Sequence, residues 1–146
     1  MDIMFKSGIE HIDFDAVTKW LGQTWWSPGI TKKEVIFGAR NSSLVVGGFD
    51  ERGNQLSYLR VISDKVRFAY ILDVIVDPAL RRQGIGRRMV KFAMESREMS
   101  LVYQWLLVTR DAHGVYAKVG FLPLDNPGDW MMVKKPRSDR SHFQAP

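Results

Sequence analysis

The chain has 146 residues, enough for one ordinary domain with its own core and too few for two. Hydrophobic residues make up 45% and charged residues 25%, which excludes a disordered chain, a collagen and a coiled-coil rod. The net charge of +5 favours phosphorylated or polyanionic ligands without choosing among them.

There is no cysteine, so disulfides, thiolate metal sites and acyl transfer through a thiol are excluded. The stretch from Met1 to Lys6 lacks the charged-then-apolar plan of a signal peptide, and no apolar run approaches the roughly 20 residues of a membrane span. A cytoplasmic protein is expected.

Asp13 is placed to cap a first helix with Phe14, Val17, Trp20 and Leu21 on one face. Thr31-Lys32-Lys33-Glu34 reads as a capping box, stapled by Ile30 and Val35, for a second helix that fades by Asn41. Strands follow at Leu44–Phe49, Gln55–Ile62 and Phe68–Val76, the last apolar on both faces and therefore central. A third helix carries Ile85, Met89, Phe92 and Ala93 on its inner face. Leu101–Thr109 is expected as a second buried strand, and Asp111 as the cap of a fourth helix that Gly120 stops. Phe121–Leu124 and Trp130–Val133 are expected as a closing strand pair. The order describes one α/β (α+β) domain on a single mixed sheet over residues 1–135, with a basic tail at 136–146.

The most informative segment is Arg81-Arg82-Gln83-Gly84-Ile85-Gly86, between a buried strand and an amphipathic helix. Two glycines let the backbone curl, and the free first-turn N–H groups of the helix point outward with the positive end of its dipole. Such a turn cradles phosphate, and Arg81, Arg82, Arg87 and Arg88 add positive charge; the alternative is a tight turn and nothing more. The dinucleotide fingerprint is excluded by Met89 where a third glycine is needed, and the P-loop by the lack of Gly-Lys-Ser/Thr.

Two motifs stand in order. The first is Val76-Asp77-Pro78-Ala79-Leu80-Arg81-Arg82-Gln83-Gly84-Ile85-Gly86, and the second is Tyr116-Ala117-Lys118-Val119-Gly120-Phe121. They resemble the pyrophosphate loop and the tyrosine motif of the GNAT superfamily of N-acetyltransferases. Phe68-Ala69-Tyr70-Ile71-Leu72-Asp73-Val74 and Thr109-Arg110-Asp111-Ala112-His113-Gly114 are similar to a bacterial subgroup of it. The resemblance implies a mostly antiparallel sheet of about six or seven strands with about four helices and a splayed strand pair at the cofactor site. It also implies acetyl-CoA as donor and an amine acceptor, either a small molecule or a peptide. Arg81, Arg82, Gln83, Gly84, Ile85, Gly86 and Arg87 would hold the pyrophosphate. Val74, Ile75 and Val76 would pair with the pantetheine arm, with Thr109 at a position where many members place Asn. Tyr116 would protonate the departing thiolate.

The residues support this chemistry on their own terms. Expelling a thiolate needs a general acid, which Tyr116 offers unless it is simply a core aromatic. The oxyanion needs a donor such as the N–H of Val74 or Val76. Asp73 interrupts an apolar strand, so it either faces the acceptor as a base or pairs with a residue such as Arg60. His113, about one turn before Tyr116, is a second candidate base or a polar residue of the first helical turn. Trp25 and Trp26 either line the acceptor pocket or fill the core. No metal site is expected, nor a nucleic-acid or membrane partner; a homodimer is possible. The competing reading is a CoA-binding sensor or interaction module without turnover.

Overall fold

A computed structural model describes residues 2–136. Apart from Pro136, the expected tail at 136–146 lies outside the described residues.

The chain opens with an edge strand that the sequence pattern does not announce, β1 (Met4–Ser7). Helix α1 (Phe14–Leu21) follows, capped by the Asp13 carboxylate, which accepts from the N–H of Asp15 and of Ala16. Helix α2 (Lys32–Arg40) begins where the Thr31 hydroxyl accepts from the Glu34 N–H at 3.3 Å. Strands β2 (Leu44–Phe49), β3 (Gln55–Ser63) and β4 (Ala69–Val76) form an antiparallel meander. Helix α3 (Ile85–Met94) crosses to the short strand β5 (Trp105–Leu106), which pairs parallel to β4. Helix α4 (His113–Ala117) comes last. The sheet order is β1-β2-β3-β4-β5.

Side-chain alternation along the strands builds a core on each face of the sheet. On one face Leu44, Val46, Leu59, Val61, Ala69 and Ile71 meet Met89, Val90 and Ala93 of α3. On the other, Val45, Tyr58 and Ile75 meet Val17, Trp20 and Leu21 of α1 and Val35 and Ala39 of α2. Each fully buried side chain of this size stabilises the fold by about 1.5–3 kcal/mol relative to exposure.

The alternation breaks once in β4. Tyr58 pairs with Ile75 and Arg60 with Leu72, so Asp73 and Val74 together face the single residue Leu59. Asp73 takes the left-handed conformation at φ +56, which short polar side chains tolerate best. This bulge turns Asp73 toward α1 and α2, whereas strict alternation would bury its carboxylate under α3.

The sheet has five strands among the described residues, fewer than the six or seven expected. The apolar run Leu101–Thr109 contributes only Trp105–Leu106. Its start is consumed by turns, with the Val102 N–H donating to Met99 C=O, and its end leaves β4. Phe121–Leu124 and Trp130–Val133 form no ladder. Pro123 offers no N–H there, and Met131, Met132 and Val133 lie almost fully exposed. Asp111 does not cap α4; the Thr109 hydroxyl accepts the Ala112 N–H instead, at 3.0 Å.

Candidate active site

Strand β4 pairs with β5 only at Ala69 and Tyr70; from there to Val76 it stays paired with β3 but its other edge is open. The Asp77 N–H donates to Leu56 C=O, so the backbone of Asp77 and Ile75 points at β3. Alternation then turns the N–H and C=O groups of Val74 and Val76 to the open side. Ile75 differs: its backbone serves β3 and its side chain is core. The cleft where β5 departs therefore presents Val74 and Val76.

The open edge leads into the turn before α3. Asp77 accepts from the Ala79 N–H at 3.0 Å and shapes a 3-10 turn at Pro78–Leu80. Arg82 (φ +66) and Gly84 (φ +77) are both left-handed. Gly84 is the N-cap of α3, and its C=O accepts from the Arg88 N–H, the first bond of the helix. The N–H groups of Ile85, Gly86 and Arg87 precede that bond and have no helical partner. A Cβ at Gly86 would lie 3.6 Å from Val76 Cγ2 and 3.9 Å from Val74 Cγ1, so the helix start sits directly against the open edge. Arg81, Arg82 and Gln83 are exposed. Arg87 curls back, its Nη2 lying 3.6 Å from where a Gly84 Cβ would stand. Arg88 leaves the cluster and lies over the Phe5 ring, 5.6 Å from its centroid. Free amides and three nearby arginines suit an anion such as a pyrophosphate.

The motif Tyr116 to Phe121 is a helix stop. The Gly120 N–H donates to Ala117 C=O at 3.1 Å, and the Phe121 N–H to Tyr116 C=O at 3.2 Å, the two bonds of a Schellman ending. Gly120 supplies the required positive φ, +101. The Phe121 ring meets the Tyr116 ring edge-on at 6.1 Å. The spacing Tyr-x-x-x-Gly-Phe thus clamps the tyrosine with the residue that ends its helix. Tyr116 and Val74 pack against the same core, the one beneath α3. Burial pushes the Tyr116 hydroxyl pKa upward, and the Asp111 charge pushes it further, so the phenol holds its proton at neutral pH.

On the other side of β4 lies a polar network. Arg60 Nε donates to Asp73 Oδ2 at 2.7 Å, and the Trp26 indole donates to Asp73 Oδ1 at 3.0 Å. Of the two arrangements open to Asp73, the structure shows the pair with Arg60, and both carboxylate oxygens are engaged. Trp25 and Trp26 are 46% and 39% exposed, so neither fills the core. They meet edge-to-face at 5.5 Å, and the Arg110 guanidinium lies 3.6 Å from the Trp25 ring centroid. Sequence reasoning did not single out Arg110, because its contact with Trp25 joins loops far apart in the chain. His113 is exposed at the start of α4. The Thr109 hydroxyl, spent as an acceptor on Ala112, keeps its own proton to donate. No group of three or more His, Asp or Glu among the described residues could hold a metal ion.

A sheet edge that opens beside the free amides of a helix start marks a class of α/β domain whose geometry suits a phosphorylated ligand. Residues 34–123 match the model of the acetyltransferase (GNAT) domain, and the chain belongs to that family. A protein assigned to the GNAT acetyltransferases from Xanthomonas campestris pv. campestris is 31% identical, with a TM-score of 0.83 over 93% of this chain and 95% of that one. An acetyltransferase from Clostridium acetobutylicum, solved with acetyl-CoA, shares the fold at 16% identity and a TM-score of 0.67, covering 91% of this chain and 96% of that one. Glucosamine-6-phosphate N-acetyltransferase from Arabidopsis thaliana shares it at 19% identity and 0.66, over 90% of this chain and 98% of that one. No curated protein matches the chain. No helix among the described residues is long and apolar enough to cross a membrane.

Proposed function

We propose that the protein transfers the acetyl group of acetyl-CoA directly to a primary amine held in a ternary complex. The observation that carries this reading is the edge of β4 that β5 leaves open beyond Tyr70, leading through the 3-10 turn at Pro78–Leu80 into the Arg82–Gly86 turn. An extended thioester arm can add to that edge as a further strand would, through the outward groups of Val74 and Val76. Its pyrophosphate then meets the amides of Ile85, Gly86 and Arg87 and the side chains of Arg81, Arg82 and Arg87.

The amine nitrogen attacks the thioester carbon, and the carbonyl oxygen gathers charge. The Val74 N–H, on the open edge, stabilises that oxyanion. The C–S bond breaks, and Tyr116, still protonated, gives its proton to the thiolate. His113, exposed and about one turn away, takes the proton that the amine loses and returns it to the Tyr116 phenolate through water, so the phenol is restored and no net proton is released. Asp73 orients Trp26 and is held by Arg60, so it positions the acceptor wall. With no thiol in the chain, direct attack in the ternary complex replaces transfer through an acyl-cysteine. We place this chemistry in the cytoplasm.

Titration calorimetry with acetyl-CoA, followed by thiol release with a panel of primary amines, tests the reading. Expected are micromolar-range binding that weakens as salt rises, and thiol release that depends on the amine. Binding without release from any amine would instead favour a CoA-binding sensor. No binding at about 1 mM would remove the acetyl-CoA assignment altogether.

A further inference from the structure

Arg110 is the feature of this region that the reaction above leaves unused. Its guanidinium lies over the Trp25 ring at 3.6 Å. A guanidinium stacked in this way spends its face on the ring and keeps the N–H fork along its edge for other partners. Arg110 is exposed, and none of the ion pairs among the described residues includes it. The neighbouring carboxylate Asp111 forms no ion pair with it. In the polar network that Trp26 joins, Arg60 and Asp73 are paired with each other.

The position of this cation is fixed by a relay of contacts. Trp25 stands edge-on against Trp26, Trp26 is bonded to Asp73, and Asp73 precedes Val74 on the open edge. Arg110 therefore stands on the side of β4 opposite the α3 turn, one aromatic pair away from the proposed reacting position. A fixed positive charge there repels an acceptor that carries only an ammonium group. It attracts one that also carries an anion.

We propose that Arg110, held on Trp25, selects an amine acceptor that bears an anionic group, a carboxylate or a phosphate, with Trp25 and Trp26 covering its apolar body. This assignment rests on the acetyl-transfer reading. The anion would take the planar edge of the guanidinium in a two-point bond, which Lys cannot reproduce.

The test compares kcat/KM for para-aminomethyl benzoate, its uncharged amide and para-aminomethyl phenyl phosphate, on the wild-type protein and on the Arg110→Gln and Arg110→Lys variants. The wild type is expected to favour at least one anionic amine over the amide by about 10- to 100-fold, the usual worth of a hydrogen bond to a charged group. In Arg110→Gln that preference should collapse to within about threefold, chiefly through KM, and Arg110→Lys should restore only part of it. Which anion is favoured identifies carboxylate or phosphate as the group recognised. Arg110 is exposed, so both variants should keep the wild-type melting temperature. Turnover without anion preference, or a preference that survives in Arg110→Gln, would overturn the assignment and leave acetyl transfer standing. If acetyl-CoA binds and no amine in a broad panel is acetylated, acetyl transfer fails and the acceptor class fails with it.

Discussion

At the scale of single residues, Tyr116 and Asp73 make opposite predictions. Tyr116→Phe keeps the ring that Phe121 and the core hold, so stability should change by about 1 kcal/mol or less. Acetyl-CoA affinity should barely move, because the α3 turn lies elsewhere. The rate should fall by about 10²–10⁴-fold, the range for losing a general acid. A folded variant within about threefold of wild type, with chemistry rate-limiting, would leave water or His113 to protonate the thiolate. Asp73→Ala strips Arg60 of its carboxylate where their side chains are only 21% and 12% exposed, and it puts alanine at φ +56. A loss of about 2–3 kcal/mol is expected in denaturant unfolding. Asp73→Asn keeps an acceptor for the Trp26 indole and a side chain that tolerates the left-handed region, so it should lose less. If both variants unfold at the wild-type midpoint, the pair contributes nothing.

At the scale of elements, the start of α3 separates shape from charge. A Cβ at Gly86 would meet Val76 and Val74 at ordinary contact distance, so Gly86→Ala should fold and still bind acetyl-CoA. Gly86→Glu should fold as well, yet set a carboxylate beside the free amides. Calorimetry should then show binding lost while the melting temperature holds, and retained affinity would move the pyrophosphate elsewhere. Much of this element was legible because its determinants are local. A glycine at the helix cap, arginines around it and an apolar stripe at helical spacing need no knowledge of the rest of the chain. The same holds for Gly120 and Phe121, which stop the helix that carries Tyr116. The bulge at Asp73 was not legible, because it exists only in the register of β4 against β3. Nor could the apolar run Leu101–Thr109 reveal where its ladder ends: pairing is set by the partner strand, and the run diverges from β4 after Leu106. The Trp25–Arg110 contact was hidden for the same reason, since only the folded sheet brings those loops together.

At the scale of the whole molecule, the sheet keeps its two halves chemically apart. The face under α3 gathers Val74 and Tyr116, while the face under α1 and α2 gathers Tyr58, Arg60 and Asp73. Tyr58 is fully buried in the second, and burial pushes its hydroxyl pKa well above the ordinary value of 10.0, with the Arg60 charge opposing and the Asp73 charge adding to the rise. This sets how global stability responds to alkali. Below pH 10 the phenol is protonated in both folded and unfolded chains, so Tyr58 adds no pH dependence. Above that value the unfolded chain releases the proton and the folded chain keeps it. The unfolded state then binds fewer protons, and the free energy of unfolding falls as pH rises. The slope from this residue approaches about 1.4 kcal/mol per pH unit. Lysines titrate in the same window, so the comparison must be with Tyr58→Phe, which keeps the buried ring and removes the proton. Urea unfolding of the two proteins from neutral pH to beyond pH 10 should give parallel curves at first. The wild type should then lose stability faster than Tyr58→Phe. Curves that stay parallel would mean that Tyr58 ionises in the folded protein as readily as in water, and that the face under α1 and α2 admits solvent to its hydroxyl.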